Sequence, residues 1–229
     1  MRTPAIILIL LALACGARAV EVQRHGLVWE TWIADTFFGG YRQASYTQQW
    51  DIPAEANAAH GGIPANPKFA KFGTPVDLGD ALRQFDIDEP FLLLIGYWAQ
   101  EGGSKRIVNA VAIRVEPAQW RALWGDITRA DLERLDAAIK DRDIDYLEAR
   151  RRAQAIKAEP PFRTAAITLN PKIDSRVQRR LQCSLSFSKV FAHLAPGASR
   201  AAIDSQKLWG VRVPAPFYSP PRSAESSPD

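Results

Sequence analysis

Two side chains set the chemistry open to this chain: a carboxylate, Asp51, closing the run YTQQWD, and an amine, Lys68, inside the run PANPKFAKF. Metal-dependent hydrolysis of a phosphodiester needs an acid to hold the cation and an amine to orient or deprotonate the attacking water. Two strands lying side by side would present both groups to one scissile bond. Glu30 and, four residues past Asp51, Glu55 are further carboxylates in this part of the chain. Asn66 lies two residues before the lysine; its amide oxygen can ligate Mg²⁺ but brings no negative charge. Each residue also has a plainer reading. Asp51 could be a turn residue before Pro53, Lys68 a solvated edge-strand cation like Lys71, and Glu30 a solvent-facing helix residue. Pro67 cannot donate to a strand ladder, so this segment belongs at an edge or a bulge.

The elements that must position these groups follow from periodicity. GLVWETWIADTFF, residues 26–38, places apolar side chains at 28, 29, 32, 33 and 37, a helical rhythm ended by Gly39-Gly40. Tyr41 to Ile52 reads as a strand, and Gly61-Gly62 with Pro64 as the turn before Lys68. Asp77 reads as a helix N-cap with Asp80 in the first turn. Phe91 to Trp98 is a continuous apolar run, expected for a strand buried on both faces, and Ile107 to Val115 pairs with it across Gly102-Gly103. A helical subregion is expected over about 117–160, with Trp120 and Trp124 as a packing pair and a capping box at Thr128 and Asp131. One helix there should run from about Asp145 to Lys157 and stop before Pro160-Pro161. Thr164 to Leu169 reads as a strand, and 177–194 as an amphipathic, partly helical run. This order predicts an α/β fold, a central mixed β-sheet flanked by helices, forming one domain over 20–213. The Pro/Ser-rich stretch 214–229 is expected to be disordered.

Bulk properties narrow the setting. Apolar residues make up 47% and charged residues 24%, an ordinary globular balance. Residues 1–19 read as a signal peptide, with a positive start, an apolar run from Ile6 to Ala14 and a small-x-small site at Ala17-Arg18-Ala19. That run is about half the ~20 residues a membrane span requires. Cleavage after Ala19 is preferred over a lipoprotein reading at Cys15, and export to a bacterial periplasm or exterior follows. Losing Arg2 and Arg18 lowers the formal charge from +4 to +2, so net charge alone does not imply nucleic acid. Arginine outnumbers lysine 21 to 8, which suits phosphate contacts and would equally follow from GC-rich coding. With the leader gone, Cys183 is the sole cysteine, so no internal disulfide can form. His25, His60 and His193 show no zinc-ligand spacing, and no Gly-x-Ser-x-Gly elbow or Walker glycine pattern is present.

The Asp51…Lys68 pair, with Asn66 before the lysine and the later block NPKIDSRVQRRLQ, resembles the PD-(D/E)XK nuclease superfamily across about residues 26–195. The resemblance implies a restriction-endonuclease-like core with a helical insertion. Asp51, a backbone carbonyl near Phe69, and Glu30 or Asn66 would hold Mg²⁺ or Mn²⁺, and Lys68 would position water. Asn66 departs from the family pattern, which has an acid there. Arg83, Lys172, Arg176, Gln178, Arg179 and Arg180 would contact DNA, with RNA as the second candidate substrate. The alternatives are a catalytically degenerate nucleic-acid-binding or structural exported protein of the same fold, and an exported α/β protein with no nucleic-acid role. The oligomeric state is open, a dimer included.

Overall fold

A computed structural model describes residues 26–43, 48–174 and 178–219. Residues 1–19, expected to be a signal peptide, Arg176 and residues 220–229 lie outside the described residues. Helix α1 spans 26–37. Strands β1 (Ala65–Lys71), β3 (Phe91–Glu101), β4 (Ser104–Val115) and β9 (Phe217–Tyr218) form one mixed sheet in the order β1-β3-β4-β9. In it β1 runs parallel to β3, and the other pairs are antiparallel. A second, antiparallel sheet has the order β2-β6-β5, from β2 (Val76–Asp80), β6 (Arg179–Leu185) and β5 (Thr168–Ile173). A two-residue-strand hairpin, β7 (Lys207–Leu208) and β8 (Val211–Arg212), follows.

The apolar run of β3 is divided between two cores by strand alternation. Phe91, Leu93, Ile95 and Tyr97 face one core, and Leu92 and Leu94 face the other. The first core is closed by the second sheet and by helices α3 (Pro117–Ala122), α4 (Arg129–Lys140) and α5 (Tyr146–Lys157). The expected helical subregion is therefore present. The Thr128–Asp131 capping box forms in both directions, and Asp145 caps α5. The second core receives α1 through Trp29 and Ile33, both fully buried, and the hairpin through Leu208. The architecture is mixed α/β, with helices flanking a curled mixed sheet.

Several sequence expectations are corrected. Residues 41–43 and 48–51 are not a strand; only Ile52 bridges, to Ala65. Asp77 lies within β2, and the N-cap is Asp80, whose side chain accepts from the Arg83 amide of α2 (Ala81–Phe85). The expected strand 164–169 begins only at Thr168, and the expected helical run after 177 is β6, followed by α6 (Phe187–Lys189) and a π-helical turn, Val190–Leu194. The stretch expected to be disordered from 214 docks at its start: β9 pairs with β4, and Ser219 N donates to Gly103 O. Among the described residues no helix is long and apolar enough to cross a membrane.

Candidate functional site

Asp51 is placed by its two neighbours rather than by a strand. Trp50 is buried, packs against Phe91 with the rings tilted and their centroids 5.1 Å apart, and donates its indole N–H to Glu89 Oε1 at 2.8 Å. Ile52 exchanges both backbone hydrogen bonds with Ala65, at 3.0 and 2.8 Å. Held on either side, Asp51 stands beside the edge strand β1. The loop back to β1 folds around Asn57, fully buried, whose side chain accepts from His60 N and donates to Ile63 O.

On β1, alternation puts Asn66 and Lys68 on one face. Lys68 Nζ donates to Asn66 Oδ1 at 2.5 Å and to Asp51 Oδ2 at 3.1 Å. The Lys68 and Asp51 side chains keep 19 and 34% of their exposure, and Asn66 is buried. Pro67 is tolerated because β1 is an edge strand, as its missing N–H requires.

Glu30 comes from a different element. Trp29 and Ile33 define the buried face of α1, and Trp29 donates to Leu94 O at 3.1 Å while stacking on Phe69. This close approach depends on Gly96: a Cβ there would sit 2.8 Å from the Trp29 ring and 2.9 Å from the Phe69 ring. One residue on from Trp29 is about 100° around the helix, so residues 27, 30, 31 and 34 form a neighbouring stripe. That stripe lines a cleft of about 220 Å³ together with Tyr41, Arg42, Gln43, Asp51, Ile52 and Pro67. Glu30 keeps solvent contact at the rim, yet the concave surroundings displace much of its carboxyl hydration. Burial raises its pKa, the Asp51 charge raises it further, and the Lys68 charge opposes both. Glu30, Asp51 and Lys68 are thus within electrostatic reach of one another.

The donor set is two carboxylates with a lysine against one of them. The Asn66 oxygen is engaged by Lys68, which leaves Glu30 and Asp51 as the groups able to hold a divalent ion in the cleft. This is an oxygen set of the kind Mg²⁺ accepts when water completes its octahedron. Glu55 is exposed on a 3-10 turn and does not line the cleft. Among the described residues no group of three or more His, Cys, Asp or Glu side chains is arranged around a common point.

The basic residues divide. Lys172 and Arg180 are exposed and face each other across β5 and β6. Arg179 is a correction: β6 turns it inward, where it is buried and donates to the Asp141 and Ile144 carbonyls. It ties β6 to the α4–α5 connection and is not part of the exposed face. Gln178 is exposed, and its amide donates to the Asp174 carboxylate at 2.9 Å. Arg83 is exposed on α2, near Gln48 O at 3.4 Å. In the Arg150–Arg152 run, Arg150 donates to Ile173 O, and Arg151 and Arg152 pair with Glu148. Cys183 is fully buried; burial, then the charges of Asp77 and Asp80, push its thiol pKa far up, so it is no nucleophile. Sequence reading did not single out Arg42, Tyr41 or Thr31, which line the cleft. The i, i+3, i+4 spacing of Glu30 with Leu27, Thr31 and Ala34 was the available signal for the helical part of that lining.

No protein-family model, no curated protein and no solved structure matches this chain. Its own geometry is what carries a functional reading.

Proposed function

We propose that this chain is a metal-dependent nuclease-like protein with a restriction-endonuclease-type site, acting on DNA phosphodiester bonds. The observation that supports this most is that Glu30 and Asp51, from a helix and a loop, line one cleft, and that Lys68 pairs with Asp51 from the edge strand β1. The Asp51 charge raises the proton affinity of Glu30, and a cation shared between the two would remove that repulsion. When bound, Mg²⁺ or Mn²⁺ would supply charge neutralisation at the scissile phosphate. Glu30 and Asp51 would hold it. Lys68, fixed by Asp51 and Asn66, would orient a water, and its charge would favour the developing oxyanion. Arg42, at the cleft wall, is available to a phosphate oxygen once it leaves Asp35, with which it pairs at 2.7 Å.

Plasmid nicking in Mg²⁺ tests this directly. Wild type should nick, and Asp51→Ala and Lys68→Ala should not; equal nicking by all three removes these residues from the chemistry. A second reading, a nucleic-acid-binding protein without catalysis, is favoured by one specific feature. Lys68 is paired to Asp51, and the position two residues before it offers an amide instead of a carboxylate. Calorimetric titration with Mg²⁺ and Mn²⁺ separates the two, since a degenerate site would bind neither.

A further inference from the structure

The solvent side of the β2-β6-β5 sheet carries only polar side chains, and its two cations oppose each other. Lys172 and Arg180 are register partners on antiparallel strands, both exposed, and neither has an ion pair among the described residues. Elsewhere the exposed guanidiniums Arg114, Arg129 and Arg134 reach carboxylates at 2.6, 2.9 and 2.7 Å. Like charges directly opposite on paired strands are destabilising. An anion between them would relieve that repulsion. One register step away, about 7 Å along the strands, Asn170 opposes Gln182. Asn170 donates its N–H₂ to Ser184 Oγ at 2.8 Å and to Thr168 O at 3.4 Å, and Gln182 makes no side-chain hydrogen bond among the described residues.

We infer that this face is a docking surface for duplex DNA, with the β5–β6 ribbon laid in the major groove. Lys172 and Arg180 would take backbone phosphates, and Asn170 and Gln182 would address base edges. A two-stranded ribbon fits that groove, and a Gln such as Gln182 reads adenine there in bidentate fashion, while the Asn170 N–H₂ is already held by Ser184. Single strands are bound by stacking on aromatic side chains, and Thr168, Asn170, Lys172, Arg180, Gln182 and Ser184 include none. Asp77 and Asp80 on β2 share this face, as register partners of Ser184 and Gln182, and repel phosphate, which confines the DNA backbone to the β5–β6 edge of it. The docking does not rest on the nuclease reading.

The test is fluorescence anisotropy of the full chain with a labelled mixed-sequence duplex, in EDTA, over a range of salt. Lys172→Ala/Arg180→Ala should weaken binding about tenfold and flatten the log–log salt slope by about two. Without DNA the same variant should melt no lower than wild type, because it removes a repulsion. Asn170→Ala/Gln182→Ala should leave the salt slope unchanged and narrow the affinity difference between duplexes of different sequence. Lys207→Ala, on the distant hairpin, is the control. Unchanged affinity in the Lys172/Arg180 variant overturns the docking surface even if wild type nicks plasmid. Tighter binding of single-stranded DNA or of RNA than of duplex overturns the choice of partner. Loss of duplex affinity in a protein that never nicks upholds the surface and sinks only the hydrolytic reading.

Discussion

Replacing Lys68 with Met removes a charge while keeping the length of the stem, and the structure sets what this should do. At 3.1 Å from Asp51, with an effective dielectric near 20, the direct attraction is about 5 kcal/mol before solvent is counted. Both side chains remain partly exposed, so screening leaves about 1–2 kcal/mol of it. The Asn66 oxygen, buried and accepting from Lys68 at 2.5 Å, would lose its partner at a cost of about 1–3 kcal/mol. Together these predict that Lys68→Met is destabilised by about 2–5 kcal/mol in EDTA. A divalent ion between Glu30 and Asp51 would replace the missing positive charge. Mg²⁺ at a hundredfold excess over its Kd should then restore about 2.7 kcal/mol. The increment should exceed that in wild type, where Lys68 competes with the ion, while nicking is lost. Urea unfolding of both proteins, with EDTA and with Mg²⁺, reads all of this. A variant as stable as wild type in EDTA, or an identical Mg²⁺ increment in both, would refute the reasoning.

Three further outcomes are expected. Glu30→Gln should act through pH: the folded protein holds the Glu30 proton above the ordinary value of 4.5, so the folded state binds more protons than the unfolded chain just above that pH. Stability must then fall as pH rises through this window, and Glu30→Gln should flatten the fall, melt higher at neutral pH without metal, and bind Mg²⁺ more weakly. A pH–melting profile that superimposes on wild type would contradict it. Gly96→Ala should cost about 1–3 kcal/mol by overpacking against Trp29 and Phe69, and should weaken metal binding as well, because α1 carries Glu30. Metal affinity unchanged in a destabilised variant would disconnect α1 from the site. Arg179→Leu should lose about 2–4 kcal/mol by leaving two carbonyls of the α4–α5 connection without their charged donor, while the salt slope for DNA stays that of wild type. A flattened slope would return Arg179 to the exposed face.

Some of the site was legible before any coordinates. Asp51 and Lys68 were paired from residue type and spacing, and they meet at 3.1 Å. The apolar neighbours of Glu30 place it on the first helix, and that helix presents it to the cleft that Asp51 also lines. The route by which Asp51 arrives was not legible. It rests on Trp50 reaching Glu89 and Phe91 and on a single bridge to Ala65, contacts between segments that share no local pattern.

The segment VQRRLQCSLSF marks where sequence stops and tertiary structure takes over. Val177, Leu181 and Leu185 are spaced by four, which satisfies a helical stripe and a strand's alternation alike. The residues that separate the two are Arg179 and Cys183, and a charged Arg179 argued against an inward strand position. Its burial is possible only because the carbonyls of Asp141 and Ile144 come from a distant connection to receive it. Where burial and period agreed, as in the continuous apolar run of β3 or the capping box at Thr128, the chain itself determined the element. Where a polar side chain needed a partner far along the chain, which face it took, and so which arginine meets solvent, was decided by packing alone.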